Sequence, residues 1–267
     1  MTDVRRAAVA GAFYMEDPEA LSAEIASLMD KEAAEGPRPK ALIVPHAGYV
    51  YSGPVAARAY ARVRKYAAGI SRVLLLGPTH HQAVAGMALP SVKAFQTPLG
   101  DIPLDMSSIA RMTGRPEMQI SKLVHENEHS IEVQLPFLQT LLHDFTLLPV
   151  LVGDADPSMV EALLHEFGRG EETLIVVSSD LSHFLNYDEA RKLDEATRKA
   201  IESLDTEGWT WKSACGRIPI LGLLRLARRL NMKVETLDLR NSGDTAGGRE
   251  RVVGYGAWAF HESEDSA

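Results

Sequence analysis

A single cysteine, Cys215, stands in 267 residues, so no disulfide can close within this chain. That scarcity suits a reducing compartment, and a cytoplasmic home is the expectation. No run approaches the ~20 apolar residues that a membrane-spanning helix needs. The opening stretch MTDVRRAAVAGAFYMEDPEA has two arginines and only a short apolar patch before its acids, unlike a signal peptide. Basic excess is missing too. Against 28 Lys and Arg stand 36 Asp and Glu, a net charge of −8, and no basic stripe exists to meet phosphates. Neither nucleic acid nor a membrane is therefore an expected partner. Arg58, Arg64 and Lys65 lie close together but read as a solvated helix face. Low-complexity tracts, fixed-period repeats and long linkers are absent, so residues 1–267 read as one domain. The tail, 262–267, is acidic and is expected to fray.

What the chain does contain is an alternation of two patterns. Short apolar, β-branched runs occur at 41–45, 73–76, 146–152, 173–177, 233–238 and 252–260. Between them lie segments with helical spacing at 18–33, 54–67, 131–142, 157–167, 188–204 and 219–230. Pro54 suits a first helical position, and Pro136 either kinks its helix or marks its real start. The stretch 84–104 reads as a hairpin or irregular excursion. Strands alternating with helices of ten or more residues predict an α/β fold of three layers, with a mostly parallel central sheet and helices on both faces.

Ligands of open α/β sheets bind beyond the carboxyl ends of the strands. ALIV ends in Pro45-His46, VLLLGP ends in Thr79-His80-His81, and LIVVSS ends in Asp180 with His183 three residues on. Any one of these histidines alone reads as an ordinary turn residue. Four of them with an aspartate, at three strand ends, fit a metal or acid–base centre. Cys215 precedes a helix opened by Pro219, and a helix dipole there favours the thiolate. Tyr49 and Tyr51 read as pocket-lining or packing residues. His125, Glu126 and His129 satisfy H-E-x-x-H. On one continuous helix, however, they would lie well off the apolar face. Ser130 reads as an N-cap that breaks that helix. Glu128 and His129 could then enter the strand-edge site from the helix start.

Six ordered motifs, PHAGYVYSG, GPTHH, ENEHSIEVQLPFL, PVLVG, VVSSDLSHF and CGRIPI, resemble the Memo family, with AGAFY and YGAWAF near the two ends. The resemblance spans nearly the whole chain. It implies a fold similar to the LigB-type class III extradiol dioxygenases, which are non-haem iron enzymes. It implies that His46, His80 and Cys215 match metal-binding positions, that Asp180 and His183 sit beside the metal, and that Glu128 and His129 lie nearby, with His81 a neighbour. It also implies a radical-SAM protein and a third small protein as partners. Extradiol enzymes use two histidines and a carboxylate, whereas here the third ligand would be a thiolate, which accepts Fe(II), copper or zinc. Three functions follow as expectations: a redox enzyme acting on a small molecule with His183 as general acid–base and Asp180 orienting His183 or the bound ligand, a non-catalytic module binding metal, peptide or partner protein, or a zinc hydrolase at H-E-x-x-H.

Overall fold

The computed structural model describes residues 3–32 and 35–262. The end of the helix expected over 18–33 and most of the expected frayed tail lie outside them. Among the described residues the strands are β1 (Val4–Arg5), β2 (Ala41–Val44), β3 (Arg72–Pro78), β4 (Met87–Leu89), β5 (Ala94–Thr97), β6 (Gly100–Pro103), β7 (Met118–Ile120), β8 (Thr146–Val152), β9 (Thr173–Ser178), β10 (His183–Leu185), β11 (Lys233–Asn241) and β12 (Val252–His261). The helices are α1 (Pro18–Met29), α2 (Tyr49–Ala61), α3 (Met106–Met112), α4 (Lys122–Glu126), α5 (His129–Glu132), α6 (Leu135–Leu141), α7 (Pro157–Phe167), α8 (Tyr187–Glu202) and α9 (Arg217–Arg229).

The larger sheet runs β10-β12-β2-β9-β3-β8-β4-β7, with β11 also on β12. Its middle four strands, β2, β9, β3 and β8, are parallel. Every residue of β2 and β9 is buried, which is why these strands read as unbroken apolar runs rather than alternating ones. The margins are antiparallel: β12 against β2, and β4 against β8. The sheet is thus mixed: a parallel centre, antiparallel joins on either side of it, and a further parallel pair, β4 with β7, at one edge. Helices α1, α2, α5 and α6 pack with one another and with β2, β3 and β12, while α7 and α9 pair against β3 and β9. This is the three-layer α/β arrangement expected from the sequence. The excursion at 84–104 resolves into β4 and a β5–β6 hairpin, with β1 added parallel to β5 in a small second sheet.

Helix starts follow their local chemistry. Asp17 and Asp156 cap α1 and α7, each followed by proline at the first helical position. Pro136 marks the start of α6, so the expected helix at 131–142 is two short ones. Pro54 departs from expectation. It lies inside α2, which begins at Tyr49 because Gly48 supplies the first acceptor carbonyl to Tyr51 and Ser52. The carbonyl that Pro54 leaves without a donor belongs to Val50, a residue exposed to water.

Candidate metal centre

Register brings three chain segments to one rim. Val44 pairs with Ser178 and Leu76 with Val177, so β2, β9 and β3 finish side by side. Beyond them stand His46, Asp180 and His80. Cys215, on the loop before α9, completes the group: its Sγ lies 3.4 Å from His46 Nε2. One donor atom each from His46, His80 and Cys215 falls within a 4.8 Å cluster.

Two glycines permit these close approaches. A Cβ on Gly216 would sit 2.7 Å from the Ser179 Cβ, so only glycine lets the Cys215 loop close onto the end of β9. A Cβ on Gly77 would sit 2.5 Å from the Ser130 Oγ, so the α5 start packs tightly against β3. That contact delivers the Glu128-His129 turn to the site. Ser130 is not the cap; Glu128 is, accepting from the Ser130 backbone N–H at 2.9 Å.

Hydrogen bonds fix which imidazole nitrogen is bare. Ser178 Oγ donates to the Ser130 carbonyl at 2.5 Å and accepts from Gln134 Nε2 at 2.9 Å. With its one proton spent, Ser178 can only accept from His46 Nδ1, at 2.8 Å. His46 Nε2 therefore presents a lone pair toward Cys215. His80 Nδ1 meets Glu128 Oε1 at 2.9 Å, and the other Glu128 oxygen accepts the His80 backbone N–H at 2.6 Å. Nδ1 carries that proton too, leaving His80 Nε2 bare. A carboxylate behind a histidine in this way orients it as a metal ligand.

A second candidate set, His80, Glu128 and His129, also clusters within 4.8 Å. Glu128, however, already accepts from His80 twice and from Ser130, so ligation there would cost bonds that the first set keeps. The first set also fits an ion by distance. Bonds of about 2.3 Å to sulfur and about 2.0–2.1 Å to nitrogen, at a tetrahedral angle, separate the two donor atoms by about 3.6 Å. The 3.4 Å between Cys215 Sγ and His46 Nε2 is close to that value.

The electrostatics follow from burial and crowding. Burial, reinforced by the neighbouring His80, His129 and His183, holds His46 well below the usual imidazole value. His129 is pushed to about 4 by burial and then by His80, on which its ring stacks at 4.5 Å. Burial alone would raise Glu128, but the His80 contacts and the backbone N–H groups of His80 and Ser130 outweigh it and hold the carboxyl at about 2. Cys215 departs from the sequence expectation. Its thiol is pushed up to about 12 by desolvation and then by Asp180, more than its hydrogen bonds with Ser179 and with the Asp180 and Gly216 backbone offset. A cation at this site must therefore displace the proton.

The remaining predicted residues divide. Asp180 does not orient His183. Its carboxylate accepts the His46 backbone N–H at 2.8 Å and that of Ala47, and burial raises it to about 7. His183 donates from Nδ1 to the Leu181 carbonyl at 2.8 Å, which leaves Nε2 as an acceptor, and burial lowers its pKa. The next residue, Phe184, holds φ at +60°, a strained value for an aromatic, where β10 slips register against β12. Tyr49 is core, with its hydroxyl on the Val133 carbonyl, while Tyr51 is partly exposed. His81 lies exposed, its ring 6.1 Å from that of His129. His125 lies in α4, which ends before His129 begins α5. Its Nε2 meets the Ala88 carbonyl at 3.0 Å and burial pushes it to about 4, so H-E-x-x-H does not form on one helix.

Sequence reasoning missed the supports. Ser178 and Gln134 were passed over, although an inward glutamine in the apolar IEVQLP stretch was a usable signal, and Ser130 was read only as a cap. The buried Arg5–Glu132 pair was missed as well. Arg5 bonds Glu132 at 2.6 Å, the His125 carbonyl at 2.6 Å and the Glu128 carbonyl at 2.8 Å. Glu132 also accepts from Ala8, Val9 and the Tyr14 hydroxyl.

The profile of the Memo-like protein family matches residues 5–259. The chain belongs to the Memo-like family. A MEMO1 family protein of Aquifex aeolicus is 37% identical over 94% of this chain and 97% of its own length. A MEMO1 family protein of Methanococcoides burtonii is 34% identical over 95% of this chain and 98% of its own. Among solved structures, an uncharacterized Escherichia coli K12 protein superposes with a TM-score of 0.51 at 13% identity, covering 82% of this chain and 98% of that one. That likeness extends the three-layer fold of this Memo-like chain to a distant sequence. Among the described residues, no helix is long and apolar enough to cross a membrane.

Proposed function

We propose that this Memo-like protein holds one transition-metal ion on His46, His80 and Cys215 and uses it in redox chemistry on a small molecule. The observation that carries this reading is the Cys215 Sγ at 3.4 Å from a His46 Nε2 whose other nitrogen is tied to Ser178. Two neutral imidazoles and a sulfur suit iron or copper. Either ion, once bound, would supply one-electron chemistry and open positions for a small molecule. His183 and His129 are held neutral at the same rim, and the His183 Nε2 is the base available to take a proton. Asp180 fixes the turn that carries His46.

Elemental analysis of anaerobically purified protein tests the reading. About one iron or copper per chain is expected, with most of it lost in Cys215→Ser and in His46→Ala. Unchanged metal content in Cys215→Ser would remove the thiolate from the ligand set. Stoichiometric zinc with neither iron nor copper would remove the redox assignment.

A further inference from the structure

Beside the candidate centre lies a cavity of about 300 Å³, lined in part by Thr79, Cys215 and Arg217. That volume is at the lower end for small-molecule sites. Most of its remaining wall is apolar, including Pro78, Val84, Val152, Ile218 and Pro219. Arg217 is the one cation in the lining. It is half-buried, and among the described residues its guanidinium has no hydrogen bond and no carboxylate within ion-pair distance. Further along α9, by contrast, Arg225 and Arg229 both meet Glu161. An unpaired guanidinium in an apolar pocket is a ready fork for a carboxylate.

We infer that this cavity takes a small organic monoanion with an apolar body, its carboxylate on Arg217 and its body along the wall toward Cys215. The inference rests on the metal-centre reading for what the ligand would then meet, and it names the substrate class of that centre. Asp154 shares the lining, and its charge disfavours a dianion or a phosphate. The cavity thus selects one negative charge and a hydrophobic remainder.

Calorimetric titration of the metal-free protein with benzoate and with its neutral isostere benzamide tests this. Benzoate is expected to bind wild type about tenfold or more tightly than benzamide, the scale of one charge-assisted contact. Arg217→Gln should abolish that preference while leaving benzamide affinity unchanged, and Arg217→Lys should restore part of it. Inorganic phosphate should bind more weakly than benzoate. Three results would overturn the inference: no benzoate preference in wild type, a preference that survives Arg217→Gln, or phosphate binding as tight as benzoate. The wild-type comparison stands even if a variant fails to fold. Metal content measured on the same preparations separates the two readings. Loss of the benzoate preference with metal intact defeats only this inference, and metal retained by Cys215→Ser defeats only the ligand set.

Discussion

Replacing Gly77 with alanine should damage two properties through one contact. The added Cβ lands 2.5 Å from Ser130 Oγ, 3.0 Å from Ser130 Cβ and 3.3 Å from Ile131 Cγ1. The first of these is about 0.9 Å short of the 3.4 Å at which ordinary contact begins. Ser130 has little room to yield: it is fully buried, its Oγ donates to the Pro78 carbonyl, and its own carbonyl accepts from Ser178. Overpacking of this kind typically costs about 1–3 kcal/mol. The α5 start must move away from β3, and it carries Glu128, which orients His80. Denaturant unfolding should register the lost stability, and competition with a chelator should register weaker metal retention. Gly248→Ala, which meets nothing within 4 Å, is the control and should stay within about 0.5 kcal/mol. Ser130→Gly removes the two nearest of the three atoms, so Gly77→Ala/Ser130→Gly should be more stable than the sum of the single changes predicts. Strict additivity, or Gly77→Ala with native stability and metal retention, would refute the claim that this glycine sets the position of Glu128.

Asp194 is buried, which raises its carboxyl to about 6. The folded state therefore holds a proton that the unfolded chain releases near pH 4, and stability should fall as pH rises from about 4 to 6, by on the order of 3 kcal/mol at most; Asp194→Asn should flatten that slope, and an unchanged profile would contradict the assignment. Arg5→Ala leaves Glu132 buried without its cation and should cost about 3–5 kcal/mol by denaturant unfolding. A loss under about 1 kcal/mol would show the pair to be energetically idle. His125→Ala should leave metal content unchanged while lowering stability, because the ring sits against Phe95 and Ala88 rather than at the rim; loss of metal would revive the H-E-x-x-H reading.

The sheet centre was legible because parallel strands buried on both faces have apolar interiors, as residues 41–44, 73–76, 147–152 and 174–177 do. Their carboxyl ends were legible because a histidine directly after such a run has only the rim to occupy. Pro54 misled because a helix can admit proline where the carbonyl it strands is wet. The role of Asp180 misled because closeness in sequence to His183 says less than the sheet register that sets it against the His46 backbone. Ser178, Arg5 and Glu132 were not legible at all, since each acts through a partner that only the folded topology supplies. The Cys215 thiol was misjudged by counting a helix start and not the desolvation that raises it.

The guanidinium of Arg5 grips the carbonyls of His125 and Glu128 from a strand more than a hundred residues away in sequence. The first strand and the turn behind His80 thus behave as one mechanical piece. A tether or tag that pulls on the amino-terminal segment would transmit its load to that turn, and so to the carboxylate that holds the His80 ring.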